Sequence, residues 1–245
     1  MKRTLDPSHL NAVANHPAVR PHIGGGDGEL DLTELVGNTA NYVLTGEHGG
    51  FVAVRHFPGT YEVHTLFTPE GRGAAAMEAG RESLGTIFSE TDAIEVLTRV
   101  PRPNKAARLF AEANGFTLRF TRPKAWETGA DVDYFGITIE QWAMRSDACL
   151  AAGRRFHEEL EAAKIAAGST LPTHYDDEAH DRAAGAACLM IAAGNAEKGV
   201  AFYNRWARFA GYAEISLIGL HPILIDIQDA VIQVRNGHME VLSCQ

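Results

Sequence analysis

The run from Tyr61 to Phe116 constrains the fold more than any other part of the chain. It reads as strand (YEVHTLFTP), glycine turn (EGRGAAA), helix (MEAGRESLGTIFSE), strand (AIEVLTRVP) and helix (RPNKAARLFAEANGF). Met77, Leu84, Ile87 and Phe88 fall on one helical stripe, and Ala93–Val100 has the apolar density of a buried strand. Strand, helix and strand with such short links predict a right-handed crossover between parallel strands. The second helix carries its own boundaries. Asn104 after Pro103 is a good N-cap, Gly115 suits the left-handed residue that ends a helix, and Ala106, Leu109, Phe110 and Ala113 form its apolar face.

Upstream, NYVLTGE, GFVAVRHF and TYEVHTLFT have strand character and are split by Glu47-His48-Gly49-Gly50 and Pro58-Gly59. Such links predict an antiparallel meander. In the third run, alternation places Tyr61, Val63, Thr65 and Phe67 on a largely apolar face and Glu62, His64, Leu66 and Thr68 on the other. Nearer the N-terminus, Asp6-Pro7-Ser8 starts a short helix and Pro17 and Pro21 keep it from continuing. Gly24-Gly25-Gly26 is a loop, and Asp31–Leu35 is one helical turn. Phe116–Phe120 and Val132–Ile139 read as closing strands. Residues 1–145 are therefore expected to form an α/β (α+β) domain, a mixed sheet of about six or seven strands with flanking helices.

Residues 146–245 change character. Helices are expected at about 146–167, 177–193 and 196–210, followed by strand-like EISLIGL, ILIDI, AVIQVRN and MEVLSC, with Asn236-Gly237 turning the last hairpin. Ile215, Leu217, Ile218, Ile223, Leu224 and Ile225 are apolar enough to need a partner sheet, so this extension reads as an oligomerisation or assembly region.

The net charge of −9 argues against non-specific binding of nucleic acid or an anionic membrane. Cys149, Cys188 and Cys244 have no spacing that suggests a disulfide framework or zinc site. Neither a signal peptide nor an apolar run of about 20 residues is evident, which leads us to expect a soluble cytoplasmic protein.

Three readings compete for the turn: a dinucleotide site, an acyl-coenzyme A site, or a plain helix start. Gly71-Arg72-Gly73-Ala74-Ala75-Ala76 matches G-x-G-x-x-A between strand and helix, with Glu90, Asp92 and Glu95 near the distance of a ribose-binding carboxylate. That fingerprint, however, belongs to the first unit of a parallel sheet, whereas this turn follows a meander.

The order of the whole segment resembles the GNAT superfamily of N-acetyltransferases, over residues 1 to about 145. The family turn Q/R-x-x-G-x-G/A becomes Glu70-Gly71-Arg72-Gly73-Ala74-Ala75, and a second signature becomes Asn104, Ala107 and Gly115-Phe116. The resemblance implies a GNAT-like sheet and acetyl-CoA as cosubstrate. Leu66, Thr68, Gly71, Arg72, Gly73, Ala74, Ala75 and Asn104 would hold it, with the pyrophosphate on the backbone amides of the turn. Two positions depart from the pattern: Glu70 replaces Gln or Arg, and Ala111 stands where many members carry a tyrosine acid.

Direct attack of an amine on a thioester needs orientation and a base. Glu62 and His64, two apart on one strand, share a face and are the candidates. The amine acceptor is unidentified. A resemblance of HPAVRPHIGG and YEVHTLF to bacteriophage acetyltransferase-like proteins implies an alternative: a catalytically silent virion component, with homo-oligomeric or phage structural partners and location in the host cytoplasm or virion.

Elsewhere, His174, Asp176, Asp177, Glu178 and His180 form H-x-D-D-E-x-H, read as a helix N-cap at Asp176 or Asp177 with acids in the first turn rather than a metal site. Arg154, Arg155, Glu158, Glu159, Glu161 and Lys164 read as a solvated helix face, and Phe202, Tyr203, Trp206 and Phe209 as an aromatic stripe for core or partner contact.

Overall fold

In the computed structural model, residues 1–26, 28–166, 168 and 177–216 are described. The chain divides into two compact units, Met1–Trp142 and Ala143–Gln245. The first unit runs β1 (Lys2–Arg3), α1 (Ser8–Ala14), α2 (Thr33–Gly37), β2 (Tyr42–Gly46), β3 (Gly49–Phe57), β4 (Thr60–Phe67), α3 (Ala74–Glu90), β5 (Glu95–Pro101), α4 (Lys105–Ala113), β6 (Thr117–Arg122), β7 (Val132–Thr138) and α5 (Ile139–Ala143). Its strands make one mixed sheet in the order β1-β2-β3-β4-β5-β7-β6. The β2-β3-β4 meander is antiparallel, as its turns require, and the β4-α3-β5 crossover is parallel.

The alternation expected for β4 holds for direction and fails for polarity. Val52 pairs with His64 and Val54 with Glu62, so these side chains share a face with Leu66. That face packs on α1, where Leu10, Val13, Val19, Val36, Val43, Val52 and Leu66 form an apolar cluster. On the opposite face Phe51 packs edge-on to Phe67 at 5.3 Å and stacks with Phe110 of α4 at 6.3 Å. Helices thus cover both faces of β4. Glu62 and Leu66 are buried, and Thr65, assigned above to the apolar face, is exposed.

The far end of α3 shows the use of the three acids at and beyond it. Glu90 accepts a hydrogen bond from the Tyr42 hydroxyl. Asp92 binds Arg55, the Tyr61 hydroxyl and the Gly59 amide. Glu95 pairs with Arg119 at 3.3 Å. Burial, reinforced by the bond to Asp92, pushes the Tyr61 hydroxyl up to about 12. With α3 spanning 17 residues, roughly 25 Å at 1.5 Å per residue, these acids stand a helix length from the turn and serve the sheet. A dinucleotide fingerprint would need one of them at a ribose beside it.

The second unit contains α6 (Asp147–Ala166), α7 (Glu178–Ala192) and α8 (Ala196–Ala210), within a residue or two of the expected bounds. Asp177 is the N-cap of α7, its carboxylate accepting from the Ala179 and His180 amides. The aromatic stripe splits: Phe202 and Tyr203 are buried, whereas Phe209 is 96% exposed. Burial pushes the thiols of Cys149 and Cys188 up to about 12, so both are inert apolar fillers. The expected strands from Leu217 onward lie outside the described residues. Among the described residues no helix is long and apolar enough to cross a membrane.

Candidate functional site

The turn between β4 and α3 is built by two glycines with different tasks. Pro69–Gly71 forms a 3₁₀ turn, and Gly71 is buried against the preceding hairpin. A Cβ there would lie 2.5 Å from His48 Cβ and 2.9 Å from Phe67 Cδ1, so packing demands glycine. Gly73 has φ +75° and open space around it; here the backbone conformation favours glycine. It opens α3 with no side-chain cap and no acid in the first turn. Met77 donates the first helical bond, to Gly73 O at 3.1 Å. The amides of Ala74, Ala75 and Ala76 therefore precede the helical ladder, at the positive end of a long helix.

Beside this helix start the sheet opens. β4 and β5 are in hydrogen-bonded register over Thr60–Glu62 and Glu95–Leu97, while β4 continues to Phe67 and β5 to Pro101. A cavity of about 810 Å³ lies where the pairing stops. Its walls are Val63–Phe67 of β4, Thr98–Pro101 of β5, the inner sides of α3 and α4, and Trp126 with Ile23. The inner edges of the two strands present backbone N–H and C=O groups to this space. Two side-chain oxygens on the wall, Ser83 Oγ and Asn114 Oδ1, are buried and have no hydrogen-bond partner among the described residues. Such groups carry a desolvation cost that a polar ligand would relieve.

At the point where the strands part, Glu62 is buried and its carboxylate gathers three side chains. Arg99 Nε donates to it at 2.5 Å, and the Nε2 atoms of His56 and His64 lie 3.1 and 3.4 Å away. Burial holds the half-buried His64 below its ordinary imidazole value; Glu62 opposes that shift, and Arg99 and His56 add to it. His64 sits on the cavity wall with its imidazole biased toward the neutral form, so it can accept a proton there. Glu62 lies behind it.

The structure brings His64, Leu66, Arg72, Gly73 and Asn104 to the cavity. Glu62, Thr68, Gly71, Ala74 and Ala75 are not on its wall: Gly71 is buried under His48, and Ala74 and Ala75 are exposed at the helix start. Thr68 is engaged with Glu70, whose carboxyl that bond holds below its ordinary value. Arg72 has a structural use the sequence does not disclose. Its Nη2 donates to Ala18 O at 2.8 Å, tying the turn to the segment after α1. Asn104 is the expected N-cap, its Oδ1 accepting from the Ala107 amide at 3.1 Å. Ala111 is buried on the cavity wall.

Sequence reasoning missed Arg99, His56, Ser83 and Asn114. The alternation of β5 could have found Arg99, two residues beyond Leu97 on the same strand face.

No family model matches the chain. Among solved structures, it is similar to the spermidine N-acetyltransferase from Vibrio cholerae in complex with CoA and spermine, at 15% identity and a TM-score of 0.41 over 45% of this chain and 73% of that one. It is also similar to an acetyltransferase of the GNAT family from Bacillus anthracis, at 24% identity and a TM-score of 0.38 over 46% of this chain and 76% of that one.

Proposed function

We propose that the first unit binds acetyl-CoA and transfers its acetyl group to an amine. The observation that carries this reading is the parting of β4 and β5 beside an uncapped helix start. The ligand this geometry suits is extended, rich in amides and anionic at one end. The amides of Ala74, Ala75 and Ala76 at the α3 N-terminus would hold its diphosphate. The free strand edges would bind its amide-bearing arm as an added strand would bind, and Ser83 and Asn114 offer further polar contacts on the wall.

In this scheme His64 removes the proton from the attacking ammonium. The amine nitrogen then forms a bond to the acyl carbon as the carbon–sulfur bond breaks, and the second proton that the nitrogen sheds neutralises the departing thiolate. Glu62 positions His64 rather than acting as base itself, since Arg99 claims its carboxylate. Ala111 supplies no acid, so departure of the thiolate relies on orientation.

Calorimetric titration with acetyl-CoA tests the reading directly. Saturable binding is expected, and no heat of binding at millimolar ligand would refute it. Ala111, on the cavity wall where the resemblance implies a tyrosine acid, favours one second reading: a binder without turnover. It predicts acetyl-CoA binding with no thiol release on addition of polyamine, aminoglycoside or peptide amines.

A further inference from the structure

Three titratable side chains meet inside the helical unit, far in sequence from the turn: His157 on α6, and His180 and Asp181 in the first turn of α7. They are 2%, 5% and 4% exposed. His157 Nδ1 lies 2.6 Å from Asp181 Oδ1, and the two imidazoles stack with centroids 4.8 Å apart and planes at 12°. One donor atom from each of the three lies within 4.8 Å of the others.

The helices that carry these groups are locked at backbone distance. A Cβ on Gly153 would stand 1.8 Å from Asp181 O, and one on Gly185 1.8 Å from Cys149 O. His157 follows Gly153 by one turn, so this contact fixes it opposite Asp181. Two of the three groups also have an orienting partner. His180 Nε2 is 2.8 Å from the Tyr203 hydroxyl of α8, and Asp181 Oδ2 is 3.7 Å from Arg154 Nε. An outer partner on the second nitrogen or oxygen is what sets the direction of a metal-ligating histidine or carboxylate.

We propose that His157, His180 and Asp181 bind one divalent transition-metal ion, which clamps α6 to α7. Two imidazoles and a carboxylate side by side, in an interior that His180 shares with the rings of Tyr203, Trp206 and Tyr212, are a donor set of metal-ligating type. Nitrogen donors select an ion of the zinc, nickel or ferrous type over magnesium or calcium. The ligands come from two helices, so the ion would add stability to their packing. This site is independent of the acetyl-transfer reading.

The test uses the full chain, stripped with EDTA and titrated with Zn²⁺ by calorimetry and with Co²⁺ by visible absorption. One equivalent is expected to bind, with a Co²⁺ spectrum showing nitrogen coordination and a rise in melting temperature. Tyr203→Phe, which removes only the hydroxyl that orients His180, is expected to weaken Zn²⁺ binding about tenfold. The double variant His157→Gln/His180→Gln, shown to be folded by circular dichroism, is expected to lose the equivalent. Lack of stoichiometric binding by the wild type overturns the proposal, as does undiminished binding by the folded double variant. If the double variant does not fold, the Tyr203→Phe affinity and the Co²⁺ spectrum decide: an unchanged affinity with an aqua-type spectrum overturns the proposal.

Discussion

Each unit of this chain sets a histidine beside a carboxylate, and the surroundings give the two pairs different chemistry. His64 and Glu62 are 3.4 Å apart where two strands separate; the imidazole meets a cavity, and Arg99 holds the carboxylate. His157 and Asp181 are 2.6 Å apart between helices in near-backbone contact, and both are buried. The first arrangement leaves a nitrogen able to meet a substrate proton. The second turns its donor atoms toward one another, within 4.8 Å, inside the helix packing. Residue type supplies the groups; the packing of the elements decides whether they face a ligand or one another.

The contrast breaks most severely if the glycine contacts are removed. Gly185→Val would place its Cβ 1.8 Å from the Cys149 carbonyl oxygen, with further side-chain atoms beyond it. We expect a loss of about 3 kcal/mol or more, read as a lower midpoint in urea unfolding followed by helical circular dichroism. A variant as stable as the wild type would show that α6 and α7 are not locked as described.

The next effect tests the open site. Gly73→Asp forces a non-glycine residue to φ +75° and sets a carboxylate at the α3 N-terminus. Acetyl-CoA binding should weaken by at least about thirtyfold, or 2 kcal/mol, from strain and repulsion of the diphosphate. Arg72→Ala should cost less, since its guanidinium is already held by Ala18. Equal affinity for Gly73→Asp and wild type by calorimetry would remove the helix start from the binding site.

These predictions depend unequally on what the sequence discloses. The crossover, the helix ends at Asn104 and Asp177, and the positions of α6, α7 and α8 were legible, because caps, turns and periodicity are local properties. β1, two residues long, was not: Lys2 and Arg3 are a strand only through pairing with Thr45 and Leu44. The polarity of β4 misled because helices cover both its faces. The Glu62–Arg99 pair was hidden because it depends on the β4–β5 register, a tertiary fact. For the same reason H-x-D-D-E-x-H gave only part of the helical cluster, since His157 lies on another helix.

Glu62→Gln sharpens the difference between positioning and catalysis. The variant keeps the shape but leaves Arg99 without its charge partner, and stability should fall by about 1 kcal/mol, modest because the guanidinium is 43% exposed. If Glu62 orients His64, turnover should drop with acetyl-CoA affinity unchanged. Weakened cosubstrate binding alone would instead give Glu62 a place in the cradle.

The smallest effect is one of pH. Burial holds the folded-state value of His64 below the ordinary value of about 6.5. As pH falls below that value, the unfolded chain takes up this proton before the folded one does. Stability from this group is therefore lost on acidification and fully present above about 6.5, with the slope set by the difference in bound protons. Activity should follow the same side: a rate that falls in acid and is flat from neutral pH upward for the wild type, with the acid limb absent in His64→Asn. The helical unit gives the control. His157→Gln should leave the acid limb of the rate in place, because that ring is engaged with Asp181 inside the other unit. An acid limb that vanishes with His157 and survives loss of His64 would reverse the roles assigned to the two histidines.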